Sequence, residues 1–554
     1  MSAGSLRISA PATASGKRAR IVAAGLGLVY GLVALKGVTL SLSSSDSPSA
    51  EAGVFVEVPR RADIVDRNGE LLATTVEVNS LYADPRAIWD PAETAARLAE
   101  VLDDVDPAML AKRLGDRSRA FVWVKRQLTP RQRQAVFDLG LEGLGFRAEP
   151  RRAYPKGELA GHLLGETDID GNGVGGVELA ANDRLIAGDG ALALTLDAGV
   201  QFVLEAELDE AITSMEALGG AGIIVAVETG EIRALASWPA FNPNRARDMG
   251  KNDPRRFNRA TTGVYELGSV FKPLTVAAAL DAGAIQPDQQ FDVSEPIDIG
   301  GETIGDLHPV ISPATVTTIV SESSNIGTVK IAGALGAEAQ INAMERFGLL
   351  SRPAGSALAG AAPMAPATWS PVALATASYG HGLAVSPLAF SGAFAALGNG
   401  GARRPLSVLQ SDRDRGDAAG DPVVSAAAAE AVVEMLRETV TNGTGRLADV
   451  PGYRVAGKTG TAEKVVDGRY DATRNLNSFA ALFPADRPEY AILIVLDEAK
   501  APKGADGLTV NDTAATTAAP LAGRVIARAA PLLGVMPRWD DASEDTAPER
   551  RRRG

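Results

Sequence analysis

The hydrophobic pattern divides the chain before any single residue is considered. The longest apolar run covers residues 21–35; it is interrupted by Lys36 and resumes to residue 42. Such a run is long enough to cross a hydrocarbon core of about 30 Å, and Lys36 near its far end can stretch to the interface. Residues 1–20 carry Arg7, Lys17, Arg18 and Arg20 with no acidic residue. The basic flank predicts a cytoplasmic tail at 1–20, a transmembrane anchor at 21–42 and everything beyond it outside. The alternative is a cleaved leader. The length of the run and the weak cleavage site around Ser47-Pro48-Ser49-Ala50 argue against it.

After a polar linker at 43–54 the pattern becomes that of a globular protein. Asn68-Gly69 separates two short stretches that can pair back on each other. Residues 91–114 read as helix, with Ala96, Leu98, Val101 and Leu102 as one apolar stripe and Met109, Leu110 and Leu114 as a second. Residues 129–139 form another short helix. A second unit opens near residues 192–196 and continues as an amphipathic helix over 200–214. A hairpin follows, its β-branched arms at 222–227 and 232–237 flanking Glu228-Thr229-Gly230-Glu231. Alanine-rich helical sequence runs from 313 to 397. Strands return at 453–462, 478–483 and 490–496, and a helix over 513–530 closes the unit. The chain thus divides into an α+β pair of units at 55–190 and 191–530, with a charged tail at 531–554.

Composition narrows the chemistry. At 554 residues the chain is too long for one compact core. A net charge of −13 gives no broad basic surface for nucleic acid. There is no cysteine, which excludes disulfides, thiolate catalysis and Cys-ligated metals. The three histidines, His162, His308 and His381, show no ligand spacing, so neither a zinc site nor any other cofactor is called for. Any hydrolytic or acyl-transfer chemistry needs a base other than histidine. His162 reads as a structural hydrogen-bonding residue.

One stretch supplies such a base. Ser269-Val270-Phe271-Lys272-Pro273 puts a hydroxyl and an amine three residues apart at an expected helix start, on one face. Ser-x-x-Lys arises by chance about once or twice in a chain of this size, so alone it decides nothing. Two further motifs follow it in order: Ser323-Ser324-Asn325 in an expected inter-helix loop, and Lys458-Thr459-Gly460-Thr461 on an expected strand.

With these three motifs the chain resembles the class B penicillin-binding proteins, the D,D-transpeptidases of peptidoglycan. The resemblance runs from about residue 55 to 525. It includes Asp66-Arg67-Asn68-Gly69, Arg152-Ala153-Tyr154-Pro155-Lys156-Gly157, Gly165 with Gly175-Gly176-Val177-Glu178, Thr229-Gly230-Glu231, Asn242-Pro243-Asn244 and Asn258-Arg259-Ala260. Tyr265-Glu266 and Ser323-Ser324-Asn325-Ile326-Gly327 are similar to the cell-division, FtsI-like type. Departures are Val270, Ala62 and the histidine of Gly380-His381-Gly382.

The resemblance implies a β-rich, non-catalytic pedestal (dimerisation-type) domain at 55–190. It implies a transpeptidase domain at 191–530, with an antiparallel sheet flanked by helices as in serine β-lactamases. It implies Ser269 as nucleophile, Lys272 as a neutral base, Ser323 as proton relay and Asn325 as the group orienting Lys272. Lys458, Thr459, Gly460 and Thr461 are expected to hold the donor's terminal carboxylate. The backbone N–H groups of Ser269 and Thr461 are expected to form the oxyanion hole. Expected partners are D-Ala-D-Ala stem peptides with an amine acceptor, β-lactams, a membrane glycan polymerase (FtsW-like) and other division proteins. The alternatives are an elongation-type transpeptidase, a D,D-carboxypeptidase, or a non-enzymatic β-lactam sensor or scaffold. His381 is expected to support the site. Val270 is expected to point into helix packing, and Glu266 and Glu322 to be supporting or exposed charges.

Overall fold

The computed structural model describes residues 60–250, 252–353, 358, 360–412, 420–501 and 511–539. The tail, anchor and linker expected at 1–54 and the chain beyond 539 lie outside the described residues. Among the described residues no helix is long and apolar enough to cross a membrane.

The first unit is organised by one long strand. β1 (Ile64–Val65) turns into β2 (Leu71–Ala83), which pairs antiparallel with β1, with β3 (Val122–Leu128) and with β4 (Leu144–Ala153). The expected Asn-Gly turn is present. Gly69 has φ +86°, a conformation that a side chain resists. Asp66 Oδ1 accepts the backbone N–H groups of Asn68 and Glu70, each at 2.8 Å.

Three helices each begin at a capping residue followed by proline. These are α1 (Pro91–Val101) after Asp90, α2 (Pro107–Leu114) after Asp106 and α3 (Pro130–Asp138) after Thr129. Each cap side chain accepts a first-turn N–H, and proline stands where the N–H has no helical partner. Such a cap contributes about 1 kcal/mol. The same rule corrects the reading of 91–114 as one helical stretch: Asp106-Pro107 restarts the helix. It also shifts the stripe, since Ala95 and Leu98 are buried while Ala96 faces solvent and Met109 is 65% exposed.

Leu81, Ile88, Leu98, Leu102, Leu110 and Leu128 form a core belonging to this unit alone. Closer to residue 191 the core is shared. β5 (Leu192–Ala193) pairs parallel with β1, and Ile64, Leu72, Leu163 and Val177 join the same apolar cluster as Ile223 and Val225. Glu178 pins this region. Its carboxylate is fully buried and accepts Arg61 Nη2 at 2.8 Å and Arg152 Nε at 2.6 Å. This ion triad explains why Arg152 and Glu178 stand in two separate sequence motifs.

The second unit is a five-stranded antiparallel sheet between helices. Its elements are α4 (Ala198–Ser214), β6 (Gly219–Ala226), β7 (Ile232–Trp238), α5 (Lys272–Asp281), α6 (Asn325–Leu335), α7 (Pro387–Gly398) and α8 (Ala426–Thr441). They continue with β8 (Ala456–Val466), β9 (Arg469–Phe483), β10 (Tyr490–Asp497) and α9 (Ala518–Ala529). The strand order is β8-β9-β10-β6-β7. One face packs on α5, α7 and α8 through Ile223, Val225, Leu482 and Leu493. The other packs on α4 and α9 through Ile224, Phe479, Ile492 and Ile494. Neighbouring residues of β6 and β10 therefore enter opposite cores, and these strands read as unbroken apolar runs. A fully buried Leu or Ile contributes about 1.5–3 kcal/mol, so two apolar faces hold the sheet firmly. The packed chain continues past residue 530: Val535 is buried, and Arg538 N–H donates to Gly452 O at 2.8 Å.

Candidate active site

Ser269 lies in a single turn of 3₁₀ helix, Gly268–Phe271, which runs directly into α5 at Lys272. The sequence predicts both residues in the first turn of one helix; the tighter turn carries Ser269 and the α-helix starts one step later. The Lys272 N–H donates to Ser269 O, which keeps the two segments continuous. Ser269 is half-buried, whereas Lys272 is fully buried.

Close backbone approaches hold this turn in place. Gly268 has φ +65°, and its N–H donates to Gly380 O at 3.2 Å. A Cβ on Gly460 would fall 2.4 Å from Leu267 O, and one on Gly268 would fall 3.0 Å from Thr461 O. Glycine at both positions therefore lets the nucleophile's turn lie directly on strand β8. Ser478 on β9 stitches them together, its hydroxyl donating to Leu267 O at 2.8 Å and to Gly460 O at 3.2 Å. Val270 is fully buried, and its side chain meets Gly460 on strand β8 where the sequence predicts helix packing.

The Ser-x-Asn motif forms the second wall, in the loop leading into α6. Ser323 adopts φ +63°, a left-handed conformation that costs a non-glycine residue on the order of 1 kcal/mol or more. Lys272 Nζ donates to Ser323 O and, at 3.1 Å, to Ser323 Oγ. The orienting contact expected from Asn325 is thus made by Ser323. Asn325 Nδ2 instead donates to Gly305 O at 3.0 Å. Asp306 anchors the loop, accepting Ser324 Oγ at 2.7 Å, Ile326 N–H at 3.0 Å and the Asn325 N–H.

Strand β8 forms the third wall, held in register by the pairs Lys458↔Ala480, Gly460↔Ser478 and Thr461↔Asn477. Lys458 is fully buried, and its Nζ donates to Thr459 O at 3.1 Å. The hydroxyls of Thr459 and Thr444 lie 2.8 Å apart, and Thr444 N–H donates to Ser321 O at 3.2 Å. Thr444 thereby links β8 to the Ser-x-Asn segment. Thr461 Oγ1 accepts the Ala514 N–H at 3.0 Å.

Two lysine amines share this dry space, and burial disfavours their charged forms. Burial holds Lys272 well below the ordinary lysine range; the charge of Lys458 adds to the effect and Asp306 opposes it. Burial brings Lys458 down to about 7, with Glu322 opposing. His381 is brought down to about 4 by burial and then by Lys272, so its ring is neutral at pH 7. A half-exposed hydroxyl beside a lysine held toward neutrality can be deprotonated and can attack an electrophilic carbon.

All the nominated residues fall on these three walls. His162 lies away from them, buried with Nε2 at 2.8 Å from Arg255 O, as its structural reading requires. Among the described residues no cluster of His, Asp or Glu could hold a metal ion. Asp306, Thr444 and Ser478 went unnoticed in the sequence. Nothing local marks them: each acts on a segment distant in sequence, from 15 residues away for Thr444 and Thr459 to 211 for Ser478 and Leu267.

The fold and this three-walled site define a serine acyltransferase of the penicillin-recognising kind. Residues 220–519 match the penicillin-binding protein transpeptidase domain and residues 56–207 the penicillin-binding protein dimerisation domain, so the chain belongs to this family. It is 40% identical over 489 residues to the probable peptidoglycan D,D-transpeptidase FtsI of Caulobacter vibrioides, covering 86% of this chain and 82% of that one. It is 31% identical over 477 residues to the peptidoglycan D,D-transpeptidase FtsI of Escherichia coli, covering 80% of each. Among solved structures it is similar to penicillin-binding protein 3 of Mycobacterium tuberculosis in its apo form. There the TM-score is 0.67 at 27% identity, covering 87% of this chain and 97% of the other. Related structures of that protein contain aztreonam or ampicillin.

Proposed function

We propose that this chain is a peptidoglycan D,D-transpeptidase of the cell-division type, working through an acyl-enzyme on Ser269. The observation that carries the reading is the convergence of three distant segments. The turn bearing Ser269 lies on Gly460 and Thr461, and the buried Lys272 amine reaches Ser323. The similarity to the FtsI proteins of two organisms supports the same activity.

Ser269 Oγ attacks the carbonyl of the penultimate D-Ala of a stem peptide, and neutral Lys272 takes the hydroxyl proton. The proton passes through Ser323 to the departing D-Ala amine. Backbone N–H groups of Ser269 and Thr461 receive the oxyanion, each such donor contributing about 3–4 kcal/mol to the transition state. Lys458, Thr459 and Thr461 hold the donor's terminal carboxylate. Asn325 lies on the Ser-x-Asn wall, where it can meet the donor backbone. The amine of a neighbouring stem then displaces Ser269 and closes the crosslink. A β-lactam takes the donor's place and leaves Ser269 acylated.

The reading assigns residues 21–42 to a membrane anchor, on their length and basic flank. The catalytic unit then lies outside the plasma membrane at the division septum. The anchor and the first unit contact an FtsW-like glycan polymerase and other division proteins. The test is direct. The protein is incubated with penicillin and its intact mass is measured, with Ser269→Ala alongside. A stable adduct on the wild type that is lost in the variant is the expected result; an unmodified wild type overturns the assignment. Crosslinked product from lipid-linked substrate and a polymerase separates transfer from hydrolysis. A fluorescent fusion that fails to concentrate at the septum removes the division role.

A further inference from the structure

Four side chains beside Ser269 take no part in the acylation described above. Glu266 stands three residues ahead of Ser269. Tyr379 and His381 flank Gly380, whose carbonyl accepts the Gly268 N–H at 3.2 Å. Tyr470 arrives from the start of β9, and its hydroxyl donates to Glu266 Oε2 at 3.1 Å and Oε1 at 3.3 Å. The His381 ring centroid lies 5.3 Å from that of Tyr379 and 5.8 Å from that of Tyr470. One carboxylate therefore sits among three aromatic rings at the edge of the nucleophile's turn.

Charge makes this cluster informative. The partners of Glu266 among the described residues are the Tyr470 hydroxyl and the Gly382 N–H, both neutral, and burial pushes its carboxyl upward. His381 is held neutral, so it does not supply the missing cation. A half-buried carboxylate without a counter-ion is costly to keep unless something positive arrives. Ring faces attract the same kind of ligand. On the Lys458 wall the polarity is reversed, as an arriving carboxylate needs.

We propose that Glu266, Tyr379, His381 and Tyr470 form the subsite that receives the acceptor of the second half-reaction, a primary ammonium group. The inference rests on the transpeptidase reading above. The acceptor docks against Glu266 as an ammonium ion and loses one proton to solvent only as it moves to attack. Its nitrogen attacks the acyl carbon, and its second proton passes to neutral Lys272 and on to Ser269 Oγ as the C–O ester bond breaks. The new C–N bond is the crosslink. Glu266 draws the cation in and holds its nitrogen beside the ester, and Tyr470 fixes the carboxylate.

The experiment partitions one acyl-enzyme among three nucleophiles. The full chain is acylated with a soluble acyl-D-Ala-D-Ala donor in the presence of glycinamide, a cationic amine, or methanol, a neutral nucleophile. The ratios of aminolysis to hydrolysis and of methanolysis to hydrolysis are measured, so any change in acylation cancels. Glu266→Gln is expected to lower the aminolysis ratio about tenfold, corresponding to about 1.4 kcal/mol, and to leave the methanolysis ratio within about twofold. Tyr470→Phe is expected to shift the aminolysis ratio in the same direction by a smaller factor. Equal loss of both ratios, or no loss of either, overturns the subsite. A wild type that forms no acyl-enzyme overturns the transpeptidase reading instead.

Discussion

Replacing Lys458 by methionine removes a buried cation while keeping most of its length. The amine is fully enclosed and donates to Thr459 O at 3.1 Å and, poorly, to Thr459 Oγ1 at 3.4 Å. Burial lowers it from 10.5 to about 7, a gap equivalent to about 5 kcal/mol. Between those two values the unfolded chain holds the proton and the folded chain does not. Wild-type stability therefore rises with pH across the window; the penalty is complete below about pH 7 and gone above about pH 10.5. The methionine variant has no such titration. Its advantage over wild type is then greatest near about pH 6.5 and falls by about 3 kcal/mol at about pH 9. Replacing a buried charge by an apolar group of similar volume often stabilises a protein, so the sign is the expected one. Urea unfolding followed by intrinsic fluorescence at both pH values gives the double difference, in which any fixed gain from the methionine side chain cancels. Penicillin acylation measured in parallel should be lost. An advantage that is the same at both pH values, or that grows with pH, refutes the reasoning.

Four further outcomes are expected. Lys272→Arg keeps a cation that cannot deprotonate and should slow penicillin acylation by about 10²–10⁴-fold. In the wild type, stopped-flow rates should rise with pH as the lowered Lys272 amine loses its proton. Glu178→Ala strands Arg61 and Arg152 in the interior and should cost about 3–5 kcal/mol in denaturant unfolding. Gly380→Ala forces a side chain onto φ +84° and places its Cβ 2.2 Å from Gly268 O. It should displace the Ser269 turn and slow acylation, which the rate of adduct formation reports.

Much of the fold was legible because local chemistry and tertiary packing agree. The hairpin of β6 and β7 was marked by β-branched arms around Thr229-Gly230, and the short helix expected at 129–139 forms as α3. The helical pattern of 91–114 runs through two helices because amphipathic periodicity does not register the restart at Asp106-Pro107. The candidate site was legible as three motifs because each is a short local string. Its supports were not. Asp306, Thr444 and Ser478 are ordinary polar residues whose meaning depends on which distant backbone atom lies within about 3 Å.

By itself the sequence determined which groups are available: a serine and a lysine three apart, a second lysine on a strand and no cysteine. It also determined where the strands of the second unit and several of the helices run, since apolar periodicity and caps are properties of neighbours; the strands β3 and β4 and the helix α8 are not among those read from it. Only the tertiary structure decided what state those groups are in. A lysine is a cation until burial makes its charge costly, and burial belongs to the whole fold. The same holds for the geometry at Ser269. That Gly268 and Gly460 lack side chains is written in the sequence. That their absence lets the serine's turn lie against β8 emerges only when segments nearly two hundred residues apart are packed together.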